Sequence, residues 1–316
     1  MAGGHPRKRT ALIVTVRNEV ESIEALLESI ACQTVSADDV VVADGGSTDG
    51  TLDVLRRWCA RLPLTIVEAP GANIARGRNV AITASSGELI AVTDAGVRLE
   101  PDWLERLTEA TWPDVDVVSG FFKADTRTPF EKALGATTLP SLEDVKPERF
   151  LPSSRSVLFR RTVWEQVGGY PEWLDYCEDL VFDLALRRAG SRFVFEPRAV
   201  VWFRPRRSLG AFFWQYFLYA RGDGKAGLWP LRHAIRFGTY AVAAVSLVWW
   251  RKLIPLVLVG AVLYCRRPAQ RLQSGGVRVI ARVPMIRLVG DVAKMLGYPV
   301  GVLWRIQNGW TSRSSS

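Results

Sequence analysis

The chain has 316 residues, 48% of them apolar: enough to bury one large core or two modest ones, too few for repeated passage through a bilayer. Its 41 Lys and Arg against 32 Asp and Glu leave a net charge of +9, which points to an anionic partner such as phosphate, nucleic acid or lipid headgroups. With only His5 and His233, histidine metal cages and Ser-His-Asp chemistry have no basis, and four scattered cysteines without CxxC spacing fit a reducing cytoplasm rather than a zinc ribbon or disulfide framework.

Residues 1–9 form a basic tail, and Ala11–Val16 is too short for the apolar core of a secretion signal. That run reads instead as a strand buried on both faces. Glu21–Ala31 then shows helical spacing, with Ile23, Leu26, Leu27 and Ile30 on one face. Val40–Ala43 is a second buried strand ending in Asp44-Gly45-Gly46-Ser47, and Ser47 or Thr48 caps a helix over Thr51–Arg61. Strand Leu64–Glu68, helix Ile74–Ser85, strand Glu88–Thr93, helix Pro101–Ala110 and strand Val115–Gly120 continue the alternation. Alternating strands and helices predict a mostly parallel α/β sheet with helices on both faces and ligands at the carboxyl ends of the strands. Arg17-Asn18-Glu19, Asp44 to Ser47 and Asp94-Ala95-Gly96 fall at those ends.

The stretch 126–207 is less regular, apart from a helix over Glu178–Ala189 with acids at its start, Arg187 and Arg188 at its end, and Gly190 closing it. From Ala211 onward the chain turns aromatic and basic. Ala234–Cys265 holds two apolar stretches, Gly238–Trp250 and Leu253–Cys265, split by Arg251-Lys252. Each is shorter than the roughly 20 residues of a spanning helix. They read either as two buried helices or as a shallow membrane hairpin. The hairpin is favoured by Tyr240, Trp249, Trp250 and Tyr264 at the stretch ends and by basic flanks on both sides, Arg232 and Arg236 before, Arg266, Arg267 and Arg271 after. A fuller version of the same arrangement makes each stretch a transmembrane helix. The region 277–310, with Arg278, Arg282, Arg287 and Lys294 among apolar residues, reads as an amphipathic interfacial helix. These segments predict a chain attached to the cell membrane, with the α/β domain that precedes them facing the cytoplasm.

Taken singly, the polar motifs are modest. A glycine-rich turn forms with or without a ligand. Asp44 at a strand end binds a ribose hydroxyl or caps a helix, and Glu178-Asp179 is an acid pair of a kind common at helix starts. Together, and in order, they resemble family 2 glycosyltransferases of GT-A fold. The resemblance runs through Ala11-Leu-Ile-Val-Thr-Val-Arg-Asn-Glu, Val40-Val-Val-Ala-Asp-Gly-Gly-Ser-Thr-Asp-Gly-Thr, Ala75-Arg-Gly-Arg-Asn-Val-Ala-Ile, Ala91-Val-Thr-Asp-Ala-Gly, and Tyr176-Cys-Glu-Asp-Leu-Val-Phe-Asp-Leu. It covers about residues 10–225, leaving 226–310 as a membrane-associated helical region and 311–316 as a disordered tail.

The resemblance implies an enzyme that moves a sugar from a nucleoside-diphosphate sugar to an acceptor hydroxyl, the acceptor being a lipid-linked sugar or a cell-envelope glycan. Thr15, Val16, Arg17, Asn18 and Glu19 would then cradle the nucleobase and ribose, helped by Asp44, Gly46 and Ser47. Arg78 would meet the diphosphate with its fork, and Asp94 with Ala95 would stand at the DxD position. Asp179, beside Glu178, would be the general base of an inverting transfer. Arg155 is a candidate acceptor- or diphosphate-facing cation, with a plain surface arginine as the alternative, and Ser156 is an acceptor-side candidate.

One departure concerns the metal. The family's DxD usually ends in an acid, and here that position is Gly96. Either Asp94 holds a Mg²⁺ or Mn²⁺ with help from Glu178 or Asp179, or Arg76 and Arg78 neutralise the diphosphate without metal. Two other functions compete. A nucleotidyltransferase would want a lysine-bearing glycine loop after the first strand, where Arg17-Asn18-Glu19 stands. A nucleic-acid or anionic-membrane binding module would leave Asp44, Asp94 and Asp179 unexplained, and no nucleic-acid partner is expected.

Overall fold

The computed structural model describes residues 8–272 and 276–309. Most of the expected basic tail, Trp310 and the expected disordered tail at 311–316 therefore lie outside the described residues. By packing, the chain forms two compact units, one of Met1–Lys123 with Ser141–Phe203, the other of Ala124–Pro140 with Arg204–Ser316. The first ends at Phe203.

The first unit is built on the strands β1 (Thr10–Val16), β2 (Asp39–Asp44), β3 (Leu64–Glu68), β4 (Leu89–Asp94), β5 (Val97–Leu99), β6 (Val117–Ala124), β7 (Val157–Arg160) and β8 (Phe193–Phe203). They form one sheet in the order β3-β2-β1-β4-β7-β6-β8-β5. Between them run the helices α1 (Ile23–Ala31), α2 (Thr51–Trp58), α3 (Ile74–Ala84) and α4 (Trp103–Glu109). Alternate residues of β1 enter two separate cores: Leu12 and Val14 face one, Ala11 and Ile13 the other. The first core is closed by α1, α2 and α4 through Leu26, Leu55 and Trp103, and the second by α3 through Ala75, Ala81 and Ile82. Burial on both faces explains why these strands are continuous apolar runs rather than alternating ones.

The β1–β4 half of the sheet is parallel. In the other half β7 runs antiparallel to β4, β6 antiparallel to β7, and β5 antiparallel to β8, so the sheet as a whole is mixed. Arg161, just after β7, shows how that direction is held. Its guanidinium donates to the carbonyls of Ile82, Ser85 and Gly87, so β7 ends where β4 begins. The strand order reverses at β1, where Val16 pairs with Asp44 and Thr15 with Asp94. Two acids are thereby set on either side of one strand end, the position where open α/β sheets bind ligands.

The second unit contains α5 (Pro129–Thr138) and, after a stretch of the first unit that includes α6 (Arg161–Gln166) and α7 (Glu178–Arg188), the helices α8 (Leu209–Ala226), α9 (Pro230–Val248), α10 (Ile254–Arg271), α11 (Val277–Ile280) and α12 (Val283–Gln307). Helices α8 and α12 meet backbone to backbone. A Cβ at Gly297 would lie 2.1 Å from the Phe217 carbonyl oxygen, and one at Gly301 2.1 Å from that of Arg221. Between α9 and α10 lies only a short 3₁₀ turn at Arg251–Leu253, and the two helices touch.

Their apolar side chains are not buried by this chain. Val242, Leu247, Trp249, Trp250, Leu256, Val259, Val262 and Leu263 are all exposed, so the reading of two buried helices is replaced. The other extreme fares no better: among the described residues no helix is long and apolar enough to cross a membrane, and the expectation of a transmembrane helix finds no counterpart. Tyr240 and Tyr264, expected in an aromatic belt, both donate their hydroxyls to Asp291 of α12, which also pairs with Arg236 at 2.9 Å. A buried carboxylate needs such partners. An apolar groove of about 480 Å³, lined by Trp229, Pro230, Leu231, Arg232 and Ile235, opens at the start of α9.

Candidate active site

The loops after β1 and β2 are knitted to each other. Asn18 adopts a left-handed backbone (φ 56°) that few residues but Gly, Asn and Asp tolerate. Its amide donates to Ser47 Oγ at 2.9 Å, and its Oδ1 accepts from the Thr48 amide at 2.8 Å. The Glu19 amide donates to Thr51 Oγ1 at 2.9 Å. Asp44 organises this loop. Its carboxylate accepts the amides of Gly46 and Ser47 at 3.0 and 2.9 Å and the Ser47 hydroxyl at 2.5 Å, and it is 1% exposed. Thr15, Val16, Arg17, Asn18, Glu19, Asp44, Gly46 and Ser47 are thus brought together at the carboxyl ends of β1 and β2, with Arg17 and Asn18 exposed.

A second group gathers around Arg78. Gly77 lets α3 lie against β1, since a Cβ there would come 2.9 Å from Thr15 Cγ2. The next residue, Arg78, is 2% exposed and donates to Asp94 Oδ1 at 2.8 Å and to Glu178 Oε1 at 2.7 Å. Its fork, expected to face the diphosphate, is filled by carboxylates that join the end of β4 to the start of α7. The guanidinium also lies 5.2 Å over the buried Tyr170 ring. Asn79 holds the same region by donating to the Tyr170 carbonyl and accepting from the Trp164 indole.

Helix α7 starts at Cys177, again left-handed (φ 65°), and presents Glu178 and Asp179 in its first turn. Burial above all, and then the Asp179 charge, pushes the Glu178 carboxyl up to about 7, against the pull of Arg78. Asp179 is half-buried, and its Oδ1 accepts the Leu180 amide at 2.8 Å.

One turn further, Asp183 is 3% exposed with no hydrogen-bond partner on Oδ2. Burial and the Asp179 charge raise it well above its ordinary 3.8, although Arg187 and Arg78 oppose them. A carboxyl raised by folding contributes stability that is full below its unfolded pKa and is lost as pH rises through the folded one. Asp183→Asn cannot titrate, so its melting temperature relative to the natural chain is expected to rise steadily from pH 4 to pH 8. Parallel curves over that range would show that Asp183 ionises freely in the fold.

On the far side of Asp94, Arg155 sets Nε 3.5 Å from Oδ2 and lies 4.8 Å over the Phe203 ring. Ser156, expected on the acceptor side, is instead fully buried. Its hydroxyl accepts the Trp103 indole at 2.8 Å and donates to the Ala199 carbonyl at 3.0 Å, which pins the sheet and leaves nothing for a ligand. Ala95 is buried, while Gly96 is exposed. Among the described residues no three His, Cys, Asp or Glu side chains are grouped to hold a metal ion. Sequence reasoning missed Tyr170, Asp183 and Phe203 because each looks like an ordinary core or strand residue. Only for Asp183 was there a signal, an acid on the inward face of an amphipathic helix.

The family described as Glycosyl transferase family 2 matches residues 11–163. Succinoglycan biosynthesis protein ExoA of Rhizobium meliloti is 30% identical over 278 residues, which cover 78% of this chain and 80% of that protein. Glycosyltransferase AglE of Haloferax volcanii is 28% identical over 247 residues, 75% of this chain and 80% of the relative. Among solved structures, the mannosyltransferase PcManGT from Pyrobaculum calidifontis in complex with GDP-Man and Mn²⁺ matches with a TM-score of 0.57 at 23% identity, over 97% of this chain and 88% of that one. That likeness is one of fold, the α/β GT-A arrangement.

Proposed function

The chain belongs to glycosyl transferase family 2 and is a sugar transferase, and from that premise we propose that it takes its sugar from a nucleoside diphosphate and inverts the anomeric centre, with Asp179 as general base. Family membership removes the nucleotidyltransferase and the nucleic-acid module as competing functions. The observation that carries the finer reading is the chain of contacts from Asp94 through Arg78 to Glu178, which fixes the acids at the start of α7 against the carboxyl end of β4. Asp179 is the half-exposed member of that acid pair.

In the proposed reaction the acceptor oxygen attacks the anomeric carbon from the face opposite the diphosphate. The bond from that carbon to the diphosphate oxygen breaks, its electron pair leaves with the nucleoside diphosphate, and the acceptor proton passes to Asp179. The knitted loops around Asn18 and Asp44 supply backbone and side-chain groups for nucleobase and ribose. If this is the donor site, UDP or GDP should raise the melting temperature measurably at millimolar concentration, since a ligand at about 100 times its Kd adds about 2.7 kcal/mol. No shift with any nucleoside diphosphate would sink the donor assignment.

The acceptor is read as a lipid-linked sugar or a cell-envelope glycan, supported by the succinoglycan relative. Attachment to the cell membrane, with catalysis on the cytoplasmic side, is supported by the second unit. It carries 20 Lys and Arg against 4 Asp and Glu, a net +16, beside the exposed apolar faces of α9, α10 and the groove at Trp229. Basic residues flanking exposed apolar faces suit an anionic bilayer surface. In a flotation assay the protein is expected to rise with vesicles containing phosphatidylglycerol, and less so with pure phosphatidylcholine. Remaining at the bottom with both would refute membrane attachment.

A further inference from the structure

We propose that Arg155 performs at Asp94 the task a divalent cation performs at a complete DxD, neutralising the departing diphosphate without metal; this rests on the donor reading above. The residues present do not fit a metal site. Asp94 Oδ1 accepts from Arg78 at 2.8 Å, and Oδ2 faces Arg155 Nε at 3.5 Å, so each oxygen already looks at a guanidinium. Glu178 is buried and committed to Arg78 at 2.7 Å, and Asp179 Oδ1 accepts the Leu180 amide. The position that would supply a second acid is Gly96. Its surroundings do not forbid one, because a Cβ there would meet no atom within 4 Å. The acid is missing although there is room for it. A hard cation takes oxygen ligands, and both oxygens of Asp94 already face guanidinium groups.

The two arginines are not equivalent. Arg78 is 2% exposed and its two terminal nitrogens are held by Glu178 and Asp94, which leaves only a buried Nε without a partner. Arg155 is a quarter exposed and holds Asp94 more loosely. Its place is nevertheless defined, by Phe203 beneath the guanidinium, by Ser153 Oγ 3.4 Å from Nη1, and by Thr93 Oγ1 donating to its carbonyl at 2.8 Å. A weakly hydrated planar cation on an aromatic face is pre-organised to exchange a long carboxylate contact for a two-point grip on phosphate oxygens. When the sugar–diphosphate bond breaks and its electron pair stays on the diphosphate, the new negative charge falls beside this guanidinium. The acceptor proton goes to Asp179, so the step balances without a further reagent.

The test is calorimetric titration of the full chain with UDP and GDP, in EDTA and in Mn²⁺, read beside turnover. The natural protein is expected to bind whichever nucleotide it prefers with a Kd that differs less than about threefold between EDTA and Mn²⁺. Arg155→Ala is expected to weaken binding about ten- to a hundredfold, the range for a hydrogen bond to a charged group, and Arg155→Lys to recover part of it. Gly96→Asp, which restores the second acid, is expected to bind more than about tenfold tighter in Mn²⁺ than in EDTA. Loss of binding by the natural chain in EDTA, or natural affinity in a folded Arg155→Ala, overturns the proposal while the donor reading stands. Absence of binding by both nucleotides under every condition overturns the donor reading and the proposal together.

Discussion

Asp179→Asn is expected to lower turnover about 10²- to 10⁴-fold while nucleoside diphosphate binding stays near that of the natural protein, because an amide cannot take up the acceptor proton at neutral pH. Asparagine keeps the shape of the side chain and an oxygen for the Leu180 amide, so the start of α7 has no reason to unravel. The neighbouring Glu178 is less suited to the role, because it is buried and its Oε1 is bonded to Arg78. The measurement is steady-state turnover paired with calorimetric binding. Turnover within a few-fold of the natural enzyme would remove Asp179 from the chemistry, and a parallel collapse of nucleotide binding would make it a structural residue.

Arg78→Ala is expected to cost about 3–5 kcal/mol of folding stability, the range for breaking a buried ion pair from one side. The guanidinium serves two carboxylates from α7 and β4, and without it Glu178 would be an unpaired acid in the interior. The sign of the pH dependence follows. Arg78 holds the Glu178 carboxyl down against burial, so this part of its contribution exists only while that carboxyl is charged, and the pair with Asp94 persists. The gap between variant and natural protein in urea midpoint should therefore be widest near pH 8 and narrow as the pH falls toward 5. Arg78→Lys is not expected to restore it, since a single ammonium cannot span both acids in the fork's geometry. A variant with normal stability and merely weaker nucleotide binding would return Arg78 to the phosphate-facing role that the sequence suggests.

The first four strands were legible because burial on both faces leaves one signature, an unbroken β-branched run, and the helices between them carry clean amphipathic faces. Of the second half only β6 was, as the strand expected over Val115–Gly120. β7 is only four residues, Val157–Arg160, and its direction is set by Arg161 reaching three carbonyls more than 70 residues earlier in the chain. No local pattern encodes that. The acids of the site were found because they sit at strand and helix ends, where a sequence reading looks for them. Their partners were not, since Arg78's bond to Glu178 spans 100 residues and Ser156's burial depends on the Trp103 indole from α4. The C-terminal helices show the same limit. Their apolar runs were plain, but the hydroxyls of Tyr240 and Tyr264 donating to Asp291 of α12 are tertiary facts that no local pattern encodes.

The account's central claim, a single-displacement transfer with one general base, is tested most directly by the anomeric configuration of the product. The chain should be incubated with the nucleotide sugar selected by melting-temperature shift and an acceptor, and the anomeric configuration of the new linkage read by proton NMR. Inversion relative to the donor is the predicted result, because Asp179 deprotonates an oxygen that attacks opposite the leaving diphosphate. Retention of the donor's configuration would require a second displacement or front-face attack, and would contradict the assignment of Asp179 and the mechanism built on it.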